Sequence, residues 1–459
     1  MTRSNLIGGE MLNWSDLHPG DARPAAAGPA ATALLAATLH PEDTVLIAGP
    51  HGAGVITAAV AQVTSVDLLL RSAPDAEELA ELLDDAKGQV FCGSLDRWAV
   101  DETYDVIVAL DGLERLGGPD TASFPWVQAL DRLRERLRPG GRLLLGATNS
   151  FGFERLIQPD ITAALPRDED WSRAVADRAP AGLKPLLSAL DTSDLQTFAV
   201  FPSLVRADVA LTTVDGFAGI VAAREVASRN DGPVLLDPYR LVLDAAAAGV
   251  AFELAPAWYF VIGAEAPAVL PAGVVPAGEG VLLEEHLLTA LRCDDQAELR
   301  RVIPAYVAWL GARGAGSPDN VILDGTSYRL FGEAQELDVV EHLQRFARRA
   351  LESGARQPWP AAADPHALTA RLAAMAGITV PEQEFTPDEV VRPRGSAEQL
   401  TTVARLADEL AHASARAILF EGTVSGIRRS LPYRVGHAVL NPARVIRRRL
   451  KRVLRKVRR

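Results

Sequence analysis

The chain has 459 residues, 48% hydrophobic and 23% charged, which suits a soluble globular protein of two or three domains and excludes a disordered or fibrous one. Two cysteines, Cys92 and Cys293, exclude a disulfide framework and a cysteine-rich zinc site, and eight histidines without an HxxxH pair argue against a zincin. The net charge of -12 is uneven: residues 444–459 hold ten of the 47 Arg and Lys and no acid, leaving 37 basic against 59 acidic side chains, or -22, on a body that repels nucleic acid.

No basic segment followed by an apolar run opens the chain, so no signal peptide is expected. The first strong element is "VLIAGPHGAG" (Val45–Gly54), an apolar strand running into a loop with Gly49, Gly52 and Gly54. Glycine tolerates positive φ and presents no Cβ, so the cluster suits a tight turn beneath a ligand or a plain strand-to-helix turn. "VITAAVAQV" reads as a helix, "TSVDLLLRS" as a second strand, "DAEELAELLDDA" (Asp75–Ala86) as a helix and "GQVFCG" as a short strand. Tyr104–Leu110 is an apolar strand, Pro125–Leu137 a helix, "RPGG" a turn and "RLLLGAT" a further strand. Strands alternating with helices predict an α/β fold with a mostly parallel sheet covered on both faces. Ligands bind such sheets at the carboxyl ends of the strands, where the strand order switches, and Gly49–Gly54 belongs to that rim.

"YDVIVALDGLERL" followed by "LRERLRPGGRLLL" resembles the class I S-adenosylmethionine-dependent methyltransferases over about residues 40–160. The resemblance implies a Rossmann-like domain with S-adenosylmethionine as cofactor. It implies that the loop of Gly49, Gly52 and Gly54 wraps the methionine and ribose part, that Asp96 in "CGSLDRW" meets the adenine amino group, and that Asp111 faces the reaction centre. Asp67 is the acid nearest the family's ribose-binding position, although it falls early and the better-spaced position holds Arg71, which cannot accept a hydrogen bond. Ile47 stands where the family usually has an acid, and "GPHGAG" is one residue longer than the usual loop. Read from the residues alone, Asp67 also suits a solvent-facing strand edge, Asp96 a turn cap, Asp111 a helix cap, His51 an exposed loop and Cys92 a small core residue.

"GATNSFGFERLIQPD" resembles a segment of bacterial envelope-glycan and natural-product methyltransferase-like proteins, with Thr148 in place of an acid. "LQTFAVFPSLVRADVAL" (Leu195–Leu211) predicts a hairpin. Residues 230–355 read as a separate unit in which "GPVLLDPYRLVLDAAAAGVAFELAPAWYFVIGA" forms strand, helix and strand. Ala257–Val275 is apolar but broken by Glu265, Pro267 and Pro271, a poor membrane span. "SPDNVILDGTSYRLFGEAQEL" faintly resembles the C-lobe hairpin of aminoglycoside-phosphotransferase-like kinases, without a His-Gly-Asp upstream and with Gly332-Glu333 at the second aspartate's place. A structural or acceptor-recognition module is the better reading.

From Ser396, Leu400, Val403, Ala407, Leu410 and Ala417 form a helical seam that suits a coiled coil or packing on the body. "SLPYRVGHAVLNPARVIRRRLKRV" resembles the C-termini of bacterial glycosyltransferases and other envelope-glycan proteins. A helix over 443–459 would put Ile446, Leu450, Val453, Leu454 and Val457 on one stripe among arginines, which predicts contact with an anionic membrane surface. The expected organisation is a methyltransferase-like cofactor domain over 1–160, an accessory α+β domain for acceptor recognition over 161–385, and a helical segment with a basic amphipathic tail over 386–459. The expected activity is cytoplasmic methyl transfer to a glycan or glycosylated small molecule, with the basic tail offering a peripheral place at the inner membrane face. The alternative is a non-catalytic methyltransferase-like scaffold in envelope-polysaccharide assembly. No metal and no nucleic-acid partner is expected.

Overall fold

A computed structural model describes residues 4–429 apart from 19–22, 82, 84–86, 100–101, 119–124, 159–178, 230–233, 314, 356–357, 360–363 and 382–390. The basic tail over 443–459 therefore lies outside the described residues. The chain divides into two units, Met1–Glu398 and Gln399–Arg459.

The first unit opens with strand β1 (Asn5–Gly8) and helix α1 (Pro29–Thr38). Four strand–helix pairs follow: β2 (Thr44–Ala48) and α2 (Ala53–Gln62), β3 (Ser65–Leu70) and α3 (Ala73–Ala80), then β4 (Val90–Gly93), β5 (Tyr104–Ala109) with α4 (Trp126–Arg134), and β6 (Leu137–Thr148) with α5 (Phe153–Ile157). Next come α6 (Leu183–Leu190), the hairpin β7 (Leu195–Pro202) and β8 (Ala207–Leu211), α7 (Gly216–Arg229), α8 (Pro238–Ala247), β9 (Ala257–Ile262) and β10 (Val269–Leu270).

These strands form one ten-stranded sheet, ordered β1-β4-β3-β2-β5-β6-β9-β7-β8-β10. From β1 to β6 every pairing is parallel; from β6 to β10 every pairing is antiparallel. Parallel strands buried on both faces need apolar residues at every position. Along β2 and β5, Val45, Ile47, Val106 and Val108 join the core beneath α1, α2 and α3, while Leu46, Ala48, Ile107 and Ala109 join the core beneath α4, α5, α7 and α8. Ile47 therefore fills the α1–α3 layer and is 1% exposed.

The sheet continues past residue 160. β9 pairs with β6 from Leu143↔Ile262 to Thr148↔Ala257, and β7 pairs on its far side. The boundary expected at 160 thus falls inside the sheet, and the strand expected at "AWYFVI" belongs to it rather than to a second unit. The strand expected at "GPVLL" is absent among the described residues, where Val234 makes only an isolated bridge to Gly395. The expected hairpin at Leu195–Leu211 is β7–β8.

A smaller layer follows: β11 (Val281–Leu282), α9 (Leu283–Arg292), α10 (Gln296–Arg313), β12 (Val321–Asp324), β13 (Ser327–Leu330), α11 (Val339–Glu352) and α12 (Pro365–Met375). Its core gathers Leu287, Leu299, Tyr306, Phe346 and Leu368 against the three-stranded sheet β11-β12-β13. Asp338 and Glu341 close a reciprocal capping box on α11, which satisfies two otherwise orphaned donors. Finally α13 (Ser396–Arg429) runs from the first unit into the second.

Candidate functional site

The parallel strands run β4-β3-β2-β5-β6. Counted from β2 as the first strand of the unit this is 3-2-1-4-5, so the order reverses between β2 and β5, and open α/β sheets take ligands beyond the carboxyl ends of the strands at such a point. The β2 loop lies at that end of β2. Gly49 has φ +86°, a conformation that side chains with a Cβ rarely adopt, and its N–H donates to the Leu69 carbonyl at 2.9 Å. Gly52 caps the N-terminus of α2, and Gly54 is exposed with open space around it.

His51 is not the exposed loop residue its neighbours suggest. It is fully buried: its Nδ1 lies 3.0 Å from the Gly49 carbonyl and its Nε2 lies 3.0 Å from the Leu110 N–H. The carbonyl can only accept and the N–H can only donate, so the ring is the neutral Nδ1–H tautomer that staples the β2 loop to the end of β5. Burial lowers its pKa from 6.5, against the opposing charge of Asp111. An unfolded histidine takes a proton near pH 6.5, whereas the folded one resists until lower pH, so its stabilising contribution is complete above pH 6.5 and is lost on acidification below it. Urea unfolding at pH 7.5 and pH 5.5 checks this: the wild-type chain should lose more stability between the two than His51→Gln. Equal losses would mean that the ring is solvated.

The N-terminal segment crosses the same rim. Beyond β1, the Met11 N–H donates to the Arg71 carbonyl at 2.7 Å and the Ala73 N–H to the Met11 carbonyl at 3.0 Å. Asp16 takes Arg71 bidentately, at 2.7 Å from Nε and 2.6 Å from Nη2, while Arg71 Nη1 donates to the Gly117 carbonyl. Arg23 holds Asp111 with two bonds of 2.9 Å, the Ala26 N–H adds a third at 2.9 Å, and the Gly52 N–H donates to the Ala26 carbonyl at 2.9 Å. The segment thus meets β3, β5 and the β2 loop beyond their carboxyl ends.

Arg115 completes the arrangement. Its Nε and Nη2 bond Asp111 at 2.8 and 2.7 Å, and its remaining donors bind the carbonyls of Asp16, Arg23 and Pro24. Asp111 is 1% exposed and accepts five hydrogen bonds on two oxygens. Burial pushes its carboxyl up, but Arg23 and Arg115 together outweigh burial and hold it below the ordinary carboxylate value. It is neither a helix cap nor a free acid; it is the hub of a salt-bridge network.

The other expected site residues lie elsewhere. Asp67 sits within β3 opposite Leu46, short of the rim, and accepts hydrogen bonds from the Gln89 N–H and the Tyr104 hydroxyl, both at 2.8 Å. Asp96 sits in the helical turn Leu95–Arg97, where it accepts from the Ser94 hydroxyl and pairs with Arg97 at 3.5 Å. Cys92 is in the core. The structure therefore brings together Gly49, Gly52 and Asp111 but not Asp67 or Asp96. The residues that sequence reasoning missed are His51 as a staple, Arg115, Arg23, Asp16 and Leu116. Only Arg115 left a local trace, four positions after Asp111.

Residues at the rim fit a nucleoside-bearing cofactor in part. Gly49 supplies the turn that a ligand needs. Arg71 cannot accept a bond from a ribose hydroxyl, and its guanidinium is spent on Asp16 and Gly117. A methyl carbon of Leu116, itself 2% exposed, lies 3.3 Å from where a Cβ on Gly49 would stand, so the space beside the loop is taken by the core.

The strand order and the glycine turn at its switch point define a Rossmann-like α/β protein. No family model and no curated protein matches the chain. Among solved structures it is similar to a 1,6-didemethyltoxoflavin N1-methyltransferase from Burkholderia thailandensis, bound to 1,6-didemethyltoxoflavin and S-adenosylhomocysteine, with 22% identity, 27% of this chain and 52% of that chain covered, and a TM-score of 0.22. It is also similar to an N-methyltransferase from Bradyrhizobium japonicum, likewise with S-adenosylhomocysteine (15%, 38% and 76%, 0.25), and to a mycolic acid cyclopropane synthase in its apo form (16%, 51% and 86%, 0.28). The chain spans about half the length of the first solved structures it matches. Identities and scores this low leave the strand order itself to define the class.

Proposed function

We propose that this chain is an S-adenosylmethionine-dependent methyltransferase acting on a glycan or a glycosylated small molecule, with its cofactor rim closed by its own N-terminal segment in the conformation described. The glycine turn at the β2/β5 switch point carries this reading, because it is the place where an open α/β sheet receives its ligand. When bound, the cofactor would supply a sulfonium methyl group. The backbone of Gly49–Gly52 would hold it, and Asp111 could face it only after giving up Arg23. Acceptor positioning would contribute most of any rate gain, up to roughly 7–11 kcal/mol. The approach to the rim requires the contacts of Met11, Asp16, Arg23 and Ala26 to be given up.

A second reading is a non-catalytic methyltransferase-like scaffold for envelope-glycan assembly. The Arg71–Asp16 pair and the five-fold engagement of Asp111 favour it, since neither side chain is left for a ligand. Titration calorimetry of the full chain with S-adenosylhomocysteine separates the readings. Saturable heat at micromolar to millimolar ligand supports the enzyme; none at millimolar ligand removes it and leaves the scaffold.

A further inference from the structure

Helix α13 presents an unusual surface. Between Gln399 and Gly426 every residue is exposed or half-exposed, including Val403 at 64%, Leu410 at 68% and Phe420 at 69%. Helices whose apolar side chains face water gain no stability from burial, and isolated helices are marginal in water. Gly422 and Gly426 lower the intrinsic helix stability further.

The exposed apolar residues are ordered. Val403, Leu406, Leu410, Ala413, Ala417, Phe420 and Val424 follow one another at alternating spacings of three and four, one residue to the side of the seam expected from sequence. That is a heptad repeat with Val403, Leu410, Ala417 and Val424 at a and Leu406, Ala413 and Phe420 at d. The first heptad, with Val403 at a and Leu406 at d, has the combination that favours two strands. The charges flanking the seam agree. Arg405 and Glu409 satisfy each other within the helix at 2.8 Å. Arg416 at g and Glu421 at e have no ion pair among the described residues, and in a parallel pair each Arg416 faces Glu421 of the second copy.

We propose that α13 pairs in parallel with α13 of a second copy of this chain, as a two-stranded coiled coil that makes the protein a homodimer. A lipid surface is the other occupant of an apolar stripe, and the charges argue against it. Residues 399–426 carry Arg405 and Arg416 against Asp408, Glu409 and Glu421, whereas a helix lying on an anionic membrane needs a basic polar face. Ile418 and Leu419 lie off the seam and stay exposed in the pair.

Sedimentation equilibrium on the full chain at 1–50 μM tests this, with a mass twice that of one chain expected. Leu410→Glu puts a charge into the seam and should raise the dissociation constant about 100-fold or more. Because that change also alters helix packing, a second test uses the flanking pair. Arg416→Glu should weaken the dimer by about two- to fivefold through like charges, and Arg416→Glu with Glu421→Arg should restore it. A monomer across the concentration range would overturn the proposal. So would a dimer indifferent to Leu410→Glu, or a monomer that Leu410→Glu releases from vesicles.

Discussion

Asp111→Asn is expected to lower the stability of the first unit by about 3–5 kcal/mol, the cost of leaving a buried charge without its partner. The substitution keeps shape and removes charge. Arg115 is 6% exposed and has its Nε and Nη2 committed to Asp111, so its guanidinium cannot reach water without unpacking the segment whose Asp16, Arg23 and Pro24 carbonyls it also holds. Arg23 is partly exposed and contributes less, because solvent screens its half of the network. Urea unfolding followed by tryptophan fluorescence is the measurement, and a loss below 1 kcal/mol would mean the network does not persist in solution. The same group sets an acid limit. Its folded carboxyl titrates below the ordinary value near 3.9, so its contribution is complete above that pH and is lost as pH falls through the folded value. Asp111→Asn should therefore flatten the stability profile below about pH 4, where the wild-type chain declines.

Asp16→Ala should cost about 3 kcal/mol and release the N-terminal segment. Arg71 is 4% exposed in its side chain and Asp16 is 2% exposed, so deleting the carboxylate strands a buried guanidinium on the Gly117 carbonyl. Two relaxations compete. Either Arg71 stays and the fold bears the whole penalty, or the segment lifts, water reaches Arg71, and part of the penalty is exchanged for lost backbone bonds at Met11. Limited proteolysis distinguishes them, since a lifted segment is cut before Ala27 while the rest of the chain stays intact. Cofactor calorimetry on the same variant bears on function. Under the methyltransferase reading, freeing the rim should tighten S-adenosylhomocysteine binding at least tenfold, because binding no longer pays for displacing the segment. Under the scaffold reading the variant binds no more than the parent, and its only phenotype is instability.

Both predictions concern contacts between residues far apart in sequence, and that is where reading the sequence stopped. The strands β2, β3, β4, β5 and β6 are legible because a doubly covered parallel strand reads as a near-continuous apolar run, as "VLIA", "LLL" and "VIVAL" do. The turn at Gly49 is legible because a positive φ at a strand end calls for glycine. The α/β class follows from those two signals alone. The polar residues of the rim do not. Arg71 reads as a missing ribose acceptor, and its partner Asp16 lies 55 positions upstream in a segment without regular periodicity. Asp67 and Asp111 are both acids beside apolar runs, and only the folded chain shows that Asp67 sits within β3 opposite Leu46 and that Asp111, two residues past β5, meets Arg23 and Arg115.

By itself, then, the sequence determined the local elements, the parallel strands and the glycine turn after β2, because periodicity and glycine act over a few residues. Tertiary structure alone decided three things. It inserted β9 antiparallel between β6 and β7, a pairing of "RLLLGAT" with "AWYFVI" across more than a hundred residues, which moved the expected domain boundary into the sheet. It laid the N-terminal segment across the rim and turned Asp111 from a reaction-centre acid into the partner of two arginines. It also left the stripe from Val403 to Val424 exposed among the described residues. Each depends on which surfaces meet, and a hydrophobic or charged side chain is equally stabilised by any complementary neighbour that the folded chain brings to it.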